Sequence, residues 1–370
     1  MAAPSRASLL VLSTLLAHGV AAAAGWTITD LGPVTTGQMA LNDQGWVVVG
    51  NRVMSPTAAG YATTLVRSAD GSLNNLRLTD INNSNLVLGV DGSLGLPHAF
   101  TWQGGLRSGL PELPNYNGSL QSTVAAVNDS GQIVGNTGDT AYRWSPNGSG
   151  GYLLTGLGVD LGWTIGSGAA ADINNAGAGL MSQVYNSYRT GYSSGVGHTT
   201  IIPELPGYQP VGLALNDLHQ VAGYGVYNCN GYSCNRPFVW QGPEVDWLPV
   251  AAAAAGWGIS GEARGLNERG QVVGGAYVAA YDRRALLWTS GAAGWSVTDL
   301  NTVLPAGSPF WQLGDAMDIN ERGQILGLGS VSGDNSFAHV FLLTPVPEPA
   351  PAALLAAGLL ALGLLRRRRR

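Results

Sequence analysis

Acidic and amide side chains recur along this chain at fixed offsets, and they are the first residues to test for chemistry. Asp43, Asp129 and Asp217 each follow an Asn, while Asp80, Asp172 and Asp318 each precede one by two residues. Repeated oxygen donors can hold calcium, which takes roughly six to eight oxygens around one point. Each copy supplies one or two acids without an Asp-x-Asp-x-Asp ladder, so turn formation accounts for them and no metal is expected. The histidines at 18, 98, 198, 219 and 339 are too scattered for ligand spacing and read as structural or exposed. Gly191-Tyr192-Ser193-Ser194-Gly195 fits Gly-x-Ser-x-Gly. A nucleophile elbow needs a strand turning sharply into a helix, and neither flank forms helix. No phosphate loop, dinucleotide fingerprint or His-Glu-x-x-His motif occurs. The residues therefore nominate no catalytic group and no cofactor.

Two further sets carry weaker chemistry. Cys229 and Cys234 bracket four polar residues, and outside a reducing compartment such a pair closes a small disulfide ring. The stretches YNSYRTGYSSG (185–195) and YNCNGYSCNR (227–236) are rich in Tyr, Asn, Ser and Gly. Tyr gives broad contact at small rotamer cost while amides and hydroxyls supply hydrogen bonds. Tyr185, Tyr188, Tyr192, Tyr227 and Tyr232 are the candidate ligand-binding residues, able to stack on sugar rings. Both stretches read as loops joining second to third strands, which would place them on one face.

The elements that must position these residues follow from a repeat. Asn42, Asn82, Asn128, Asn174, Asn216, Asn267 and Asn320 each open a turn, usually Asn-x-x-Gly, that leads into a short apolar strand. Clear copies read AVNDSGQIVG (126–135), GLNERGQVVG (265–274) and DINERGQILG (318–327), at spacings of 40 to 53 residues. That period is the length of one small antiparallel sheet. Asn can bond its own backbone two residues on, and Gly accepts the positive φ at which the next strand departs. Third strands end in HAFTW (98–102), AYRW (141–144), PFVW (237–240) and ALLW (285–288), and fourth strands follow each. The chain therefore reads as all-β, a seven-bladed β-propeller, with an open β-solenoid as the alternative. After the seventh motif only AHVFLLT (338–344) remains, one strand short. WTITDLG (26–32) nearly repeats WSVTDLN (295–301), so the N-terminal strand is expected to complete the last sheet and close the ring.

The ends read as sorting signals. Residues 1–24 combine Arg6, an apolar run and small residues at 21–24, as a signal peptide does. Residues 346–370 contain Pro347-Glu348-Pro349, an apolar stretch over 350–365, and Arg366, Arg367, Arg368, Arg369 and Arg370. Sixteen residues span about 24 Å as a helix, and the arginines would hold the tail in the cytoplasm. These three ordered parts resemble the PEP-CTERM sorting signal. The resemblance implies a Gram-negative envelope, signal peptidase and an exosortase-like enzyme as partners, and transient anchoring in the inner membrane. It also implies delivery to the cell surface or biofilm matrix. The body (25–345) resembles the HAF-type extracellular repeats, named for the tripeptide that stands here as His98-Ala99-Phe100. Other copies depart from that tripeptide, and the family implies an exported repeat protein of undefined activity.

Composition bounds the function. The chain has 370 residues, 54 Gly and no Lys, and residues 25–345 hold 12 Arg against 22 acids, near −10. Such a body repels nucleic acid. The expectation is a non-enzymatic matrix component, possible partner exopolysaccharide, against a glycan-active enzyme using channel carboxylates or a purely architectural protein.

Overall fold

A computed structural model describes residues 25–34, 38–115, 117–138, 140–157, 169–183, 189–195, 198–203, 205–229, 231–250, 260–279, 282–331 and 338–346. The sorting segments, including Pro347–Pro349 and Arg366–Arg370, lie outside these residues, as do Tyr185 and Tyr188. The chain divides into two units. The first comprises Met1–Thr27 and Pro345–Arg370, within which the Val346 amide donates to the Gly25 carbonyl at 2.8 Å. The second, Ile28–Thr344, holds the sheets.

Every regular element described is a strand, apart from a short 3-10 turn at Leu300–Val303. The first strand is β1 (Trp26–Pro33). Blade 1 contains β2 (Met39–Leu41), β3 (Val47–Val49), β4 (Arg52–Thr57) and β5 (Gly60–Leu65). Blade 2 contains β6 (Leu76–Ile81), β7 (Val87–Asp91), β8 (His98–Gln103) and β9 (Leu106–Gly109). Blade 3 contains β10 (Ser122–Val127), β11 (Ile133–Thr137), β12 (Thr140–Pro146) and β13 (Tyr152–Gly156). Blade 4 contains β14 (Ala169–Ile173), β15 (Gly179–Gln183), β16 (Arg189–Gly195) and β17 (His198–Ile201). Blade 5 contains β18 (Gln209–Leu215), β19 (Val221–Cys229), β20 (Tyr232–Gln241) and β21 (Glu244–Trp247). Blade 6 contains β22 (Ser260–Leu266), β23 (Gln271–Ala279), β24 (Asp282–Gly291) and β25 (Gly294–Asp299). Blade 7 contains β26 (Phe310–Ile319), β27 (Ile325–Val331) and β28 (His339–Pro345), and its strand order is β1-β28-β27-β26.

These are seven four-stranded sheets in a ring, a seven-bladed propeller. The first strands of successive blades touch one another, including β2 with β26, so they line the axis. Among the described residues no helix is long and apolar enough to cross a membrane.

The core sits between blades, not within them. A blade is one sheet with two apolar faces, so each face must be covered by its neighbour. Val48, Val53, Leu78, Val87 and Phe100 pack blade 1 on blade 2, all nearly inaccessible to solvent. Burying such a side chain is worth about 1.5–3 kcal/mol. Leu31 of β1 joins Met39, Val47, Leu326, Val340 and Leu342 in the cluster joining blade 7 to blade 1. Arg52 also donates from Nη1 to the Leu31 carbonyl (3.1 Å) and from Nη2 to the Pro33 carbonyl (2.6 Å). The buried indoles Trp144 and Trp288 donate to the carbonyls of Pro111 and Pro249 in the preceding blade, at 2.8 and 2.6 Å.

Candidate functional site

Each first strand ends on the repeated Asn, and at this end of the axis the turns meet. The seven asparagines are 2–5% exposed. Oδ1 accepts from backbone amides within its own turn, as in Asn267 with Arg269 and Gln271, both at 3.1 Å. Nδ2 donates to the carbonyl of the next blade's Asn. Asn42 donates to Asn82 (3.0 Å), Asn82 to Asn128 (2.9 Å), Asn128 to Asn174 (3.0 Å) and Asn174 to Asn216 (3.1 Å). Asn216 donates to Asn267 (3.4 Å), Asn267 to Asn320 (3.1 Å) and Asn320 back to Asn42 (2.9 Å). The circle is complete.

A second circle lies on the residue that follows. The Asp43 amide donates to Asn83 Oδ1, Asn83 to Asp129, Asp129 to Asn175, and Asn175 to Asp217. The amide of Asp217 donates to Glu268, that of Glu268 to Glu321, and that of Glu321 to Asp43, closing at 2.7 Å. Five of these seven side chains are carboxylates, and Asn83 bridges two of them through Nδ2, to Asp43 (2.8 Å) and Asp129 (3.0 Å).

Beneath the rim stand Asp80, Asp172 and Asp318. In six blades the register shifts near the end of the first strand, at Thr79, Ala125, Ala171, Leu213, Arg264 and Met317. Such a bulge re-aims the next side chain. Asp80 Oδ2 accepts from Val127 N, Asp172 Oδ2 from Leu215 N and Asp318 Oδ2 from Leu41 N, each in the following blade at 2.7–2.8 Å. Their Oδ1 atoms accept from the next amide in their own strand at 2.7–2.8 Å. The blades they reach carry Ala126, Ala214 and Ala40 at the same position, so large and small alternate; an odd ring breaks the pattern once, at Ala214 and Gly265.

All three Asp border a cavity of about 220 Å³, lined also by Asp43, Asp129, Asp217, Glu268 and Glu321 and, among the described residues, by no cation. They are half-buried and line this cavity. Desolvation therefore dominates their backbone hydrogen bonds. Asp80 is pushed up to about 7, Asp172 to about 8 and Asp318 to about 6, with neighbouring carboxylates adding to each rise. Burial raises Glu321 as well. Among the described residues no three of His, Cys, Asp or Glu gather closely enough to hold a metal ion. The mouth can fasten blades and trap protons.

Other candidate residues lie elsewhere. The stretch 227–236 is not a loop: the strands of blade 5 continue through it, with Tyr227 opposite Cys234 and Cys229 opposite Tyr232. Cys229 and Cys234 are joined as a disulfide, with Cα atoms 5.9 Å apart. Tyr192 and Ser193 lie within β16, not on a nucleophile elbow. The Tyr192 ring packs against His219 (5.2 Å) and Trp240 (6.1 Å). The Tyr227 ring packs on Tyr208 at 5.1 Å, and Tyr232 is 77% exposed. His98 pairs with Glu112 and His339 with Asp30, each at 3.0 Å. The sequence reading missed both hydrogen-bond circles. Their signal was present: the first motif position is Asn in all seven copies, while the second varies among Asp, Asn and Glu. The first needs a donor and an acceptor; the second needs only an oxygen.

No family model and no curated protein matches the chain. Among solved structures, YCF48 bound to D1 peptide is similar with a TM-score of 0.50 at 14% identity, covering 87% of this chain and 97% of that one. YCF48 from Cyanidioschyzon merolae gives 0.48 at 10% identity over 87% and 99% of the two chains. TolB from Acinetobacter baumannii gives 0.42 at 11% identity over 67% and 57%. The first of these likenesses supports the propeller. It is a likeness of fold alone.

Proposed function

We propose that this protein is an exported, surface-displayed, non-enzymatic propeller that serves as a binding or structural component of an extracellular matrix and contacts exopolysaccharide. One observation carries the non-enzymatic part. The second circle and one oxygen of each inner aspartate accept from backbone amides of a neighbouring blade, while the asparagines accept within their own turns and donate to the next blade. The channel mouth, where a propeller enzyme would converge its acids, is spent on fastening the ring. In this reading residues 1–24 are removed by signal peptidase and 346–370 by an exosortase-like enzyme. The strand β1 acts as the closing piece of blade 7.

A glycan-active enzyme remains the second reading, because Asp80, Asp172 and Asp318 are raised into the range of general acids. Incubating the purified protein with the exopolysaccharide of the producing cells separates the two. Co-sedimentation with unshortened polymer supports binding, release of short sugars supports catalysis, and indifference defeats both.

A further inference from the structure

The repeat itself exposes an anomaly in blade 5. In blades 2, 4, 5, 6 and 7 the register places His98, Arg189, Arg236, Arg284 and His339 at one equivalent position of the third strand. Three of these side chains have a carboxylate partner, Glu112 for His98, Asp282 for Arg284 and Asp30 for His339, while Arg189 is exposed to solvent. Arg236 has none among the described residues. Its one hydrogen bond runs from Nη1 to the Tyr208 hydroxyl (3.2 Å), and its Nε is buried without a partner. On the fourth strand, Trp247 stands opposite Phe238 where Asp299 stands opposite Leu286 in blade 6. Blades 2, 3 and 4 carry Gly109, Gly156 and Ile201 there, and blade 5 places an aromatic ring. The guanidinium lies over that ring at 4.6 Å, and over Tyr208 at 5.9 Å. A half-buried cation without a counter-charge is costly unless something supplies one.

Its surroundings indicate what that is. Cross-strand partners share a face, so Tyr227, Cys229, Tyr232, Cys234 and Arg236 lie on one side of the hairpin. Tyr208 packs against Tyr227 (5.1 Å) and Trp247 (4.4 Å). Trp247 has room because Gly225 lacks a side chain: a Cβ there would come within 2.9 Å of the indole. A row of rings ends on a half-buried guanidinium, a charge that attracts a carboxylate. The acids of the repeat gather at the other end of the strands, so they do not oppose an anion here.

We propose that this face of blade 5 binds a carboxylate-bearing sugar of an acidic polysaccharide, with Arg236 on the carboxylate and Trp247, Tyr208, Tyr227 and Tyr232 against sugar rings. The site rests on the polysaccharide reading above and narrows it to uronate-type polymers. Binding of the purified full-length protein to oligogalacturonate, and to the same oligomer methyl-esterified, is the test. The esterified form should bind about tenfold more weakly, Arg236→Gln should lose about tenfold toward the acidic form only, and Arg236→Lys should lose less. Tyr232→Ala, at an exposed tip that the fold does not need, should weaken both forms about threefold. Arg269→Gln, an exposed arginine beside the channel mouth, should change nothing. Equal binding of both forms, indifference to Arg236→Gln and Tyr232→Ala, or equal competition by polyglutamate overturns the site. So does failure to bind oligogalacturonate when the native exopolysaccharide still co-sediments, which leaves the broader reading standing. Failure with the native polymer as well removes both.

Discussion

Asparagine is required at the seven ring positions because one side chain must accept within its own turn and donate to the next blade. Aspartate can do only the first. Asn174→Asp places a second acceptor against the Asn216 carbonyl in a buried site, and should cost about 2–4 kcal/mol in urea unfolding. Glu268→Gln keeps the oxygen that receives the Asp217 amide and removes repulsion with Glu321, so it should change stability by no more than about 0.5 kcal/mol. Equal costs would mean that the circles are incidental. The three inner aspartates make a pH prediction. Their folded pKa values lie above the unfolded value, so the folded ring binds more protons between about pH 4 and pH 8. The stability they contribute is complete below the unfolded pKa and is lost as pH rises through about 6 to 8. Asp91, held down to about 2 by its hydrogen bonds and Arg107, acts oppositely at lower pH. Melting temperature should therefore peak in mild acid and fall toward pH 8, less steeply in Asp172→Ala. A profile rising over that interval would contradict the assignment.

At the scale of the element, two glycines of one motif do different jobs. Gly131 turns the chain at φ +73°, and a Cβ there meets nothing closer than 3.5 Å. Gly135, four residues later, faces the Thr123 carbonyl across the β10–β11 pair beside the bulge, and a Cβ would collide with it. Gly131→Ala should cost about 1 kcal/mol through backbone strain, while Gly135→Ala should cost about 3 kcal/mol or more by forcing two strands apart. Urea unfolding of the pair distinguishes strain from collision. The turn glycine was legible in the sequence from Asn-x-x-Gly. The second was visible only as a recurring letter, because the carbonyl it meets belongs to the partner strand and depends on the bulge. The stretch 227–236 was misjudged for a related reason. Polar composition suggests a loop, but cross-strand pairing carries β19 as far as Cys229 and begins β20 at Tyr232.

For the whole molecule, the test of ring closure is topological. Deleting residues 26–33 should expose β28 as an edge, remove Leu31 from the cluster joining blade 7 to blade 1, and yield an aggregation-prone protein. Re-attaching the same residues after Val346 through a short linker should restore the melting temperature. Indifference to the deletion would show that β1 does not close the ring. Period, strand content and the identity of the repeated turn were determined by the sequence alone, because they depend on contacts a few residues apart that recur seven times. So was the abundance of acids along the motif. What those acids do was decided by the tertiary structure: each side chain reaches a residue 40 or more positions away, and closure sets Asn320 against Asn42 across 278. Proton affinities near neutrality arise the same way, since desolvation exists only once seven blades enclose the mouth. The half-buried Arg236, with no carboxylate among the described residues, is likewise a difference between blades, and it could be recognised only when strand register made their positions comparable.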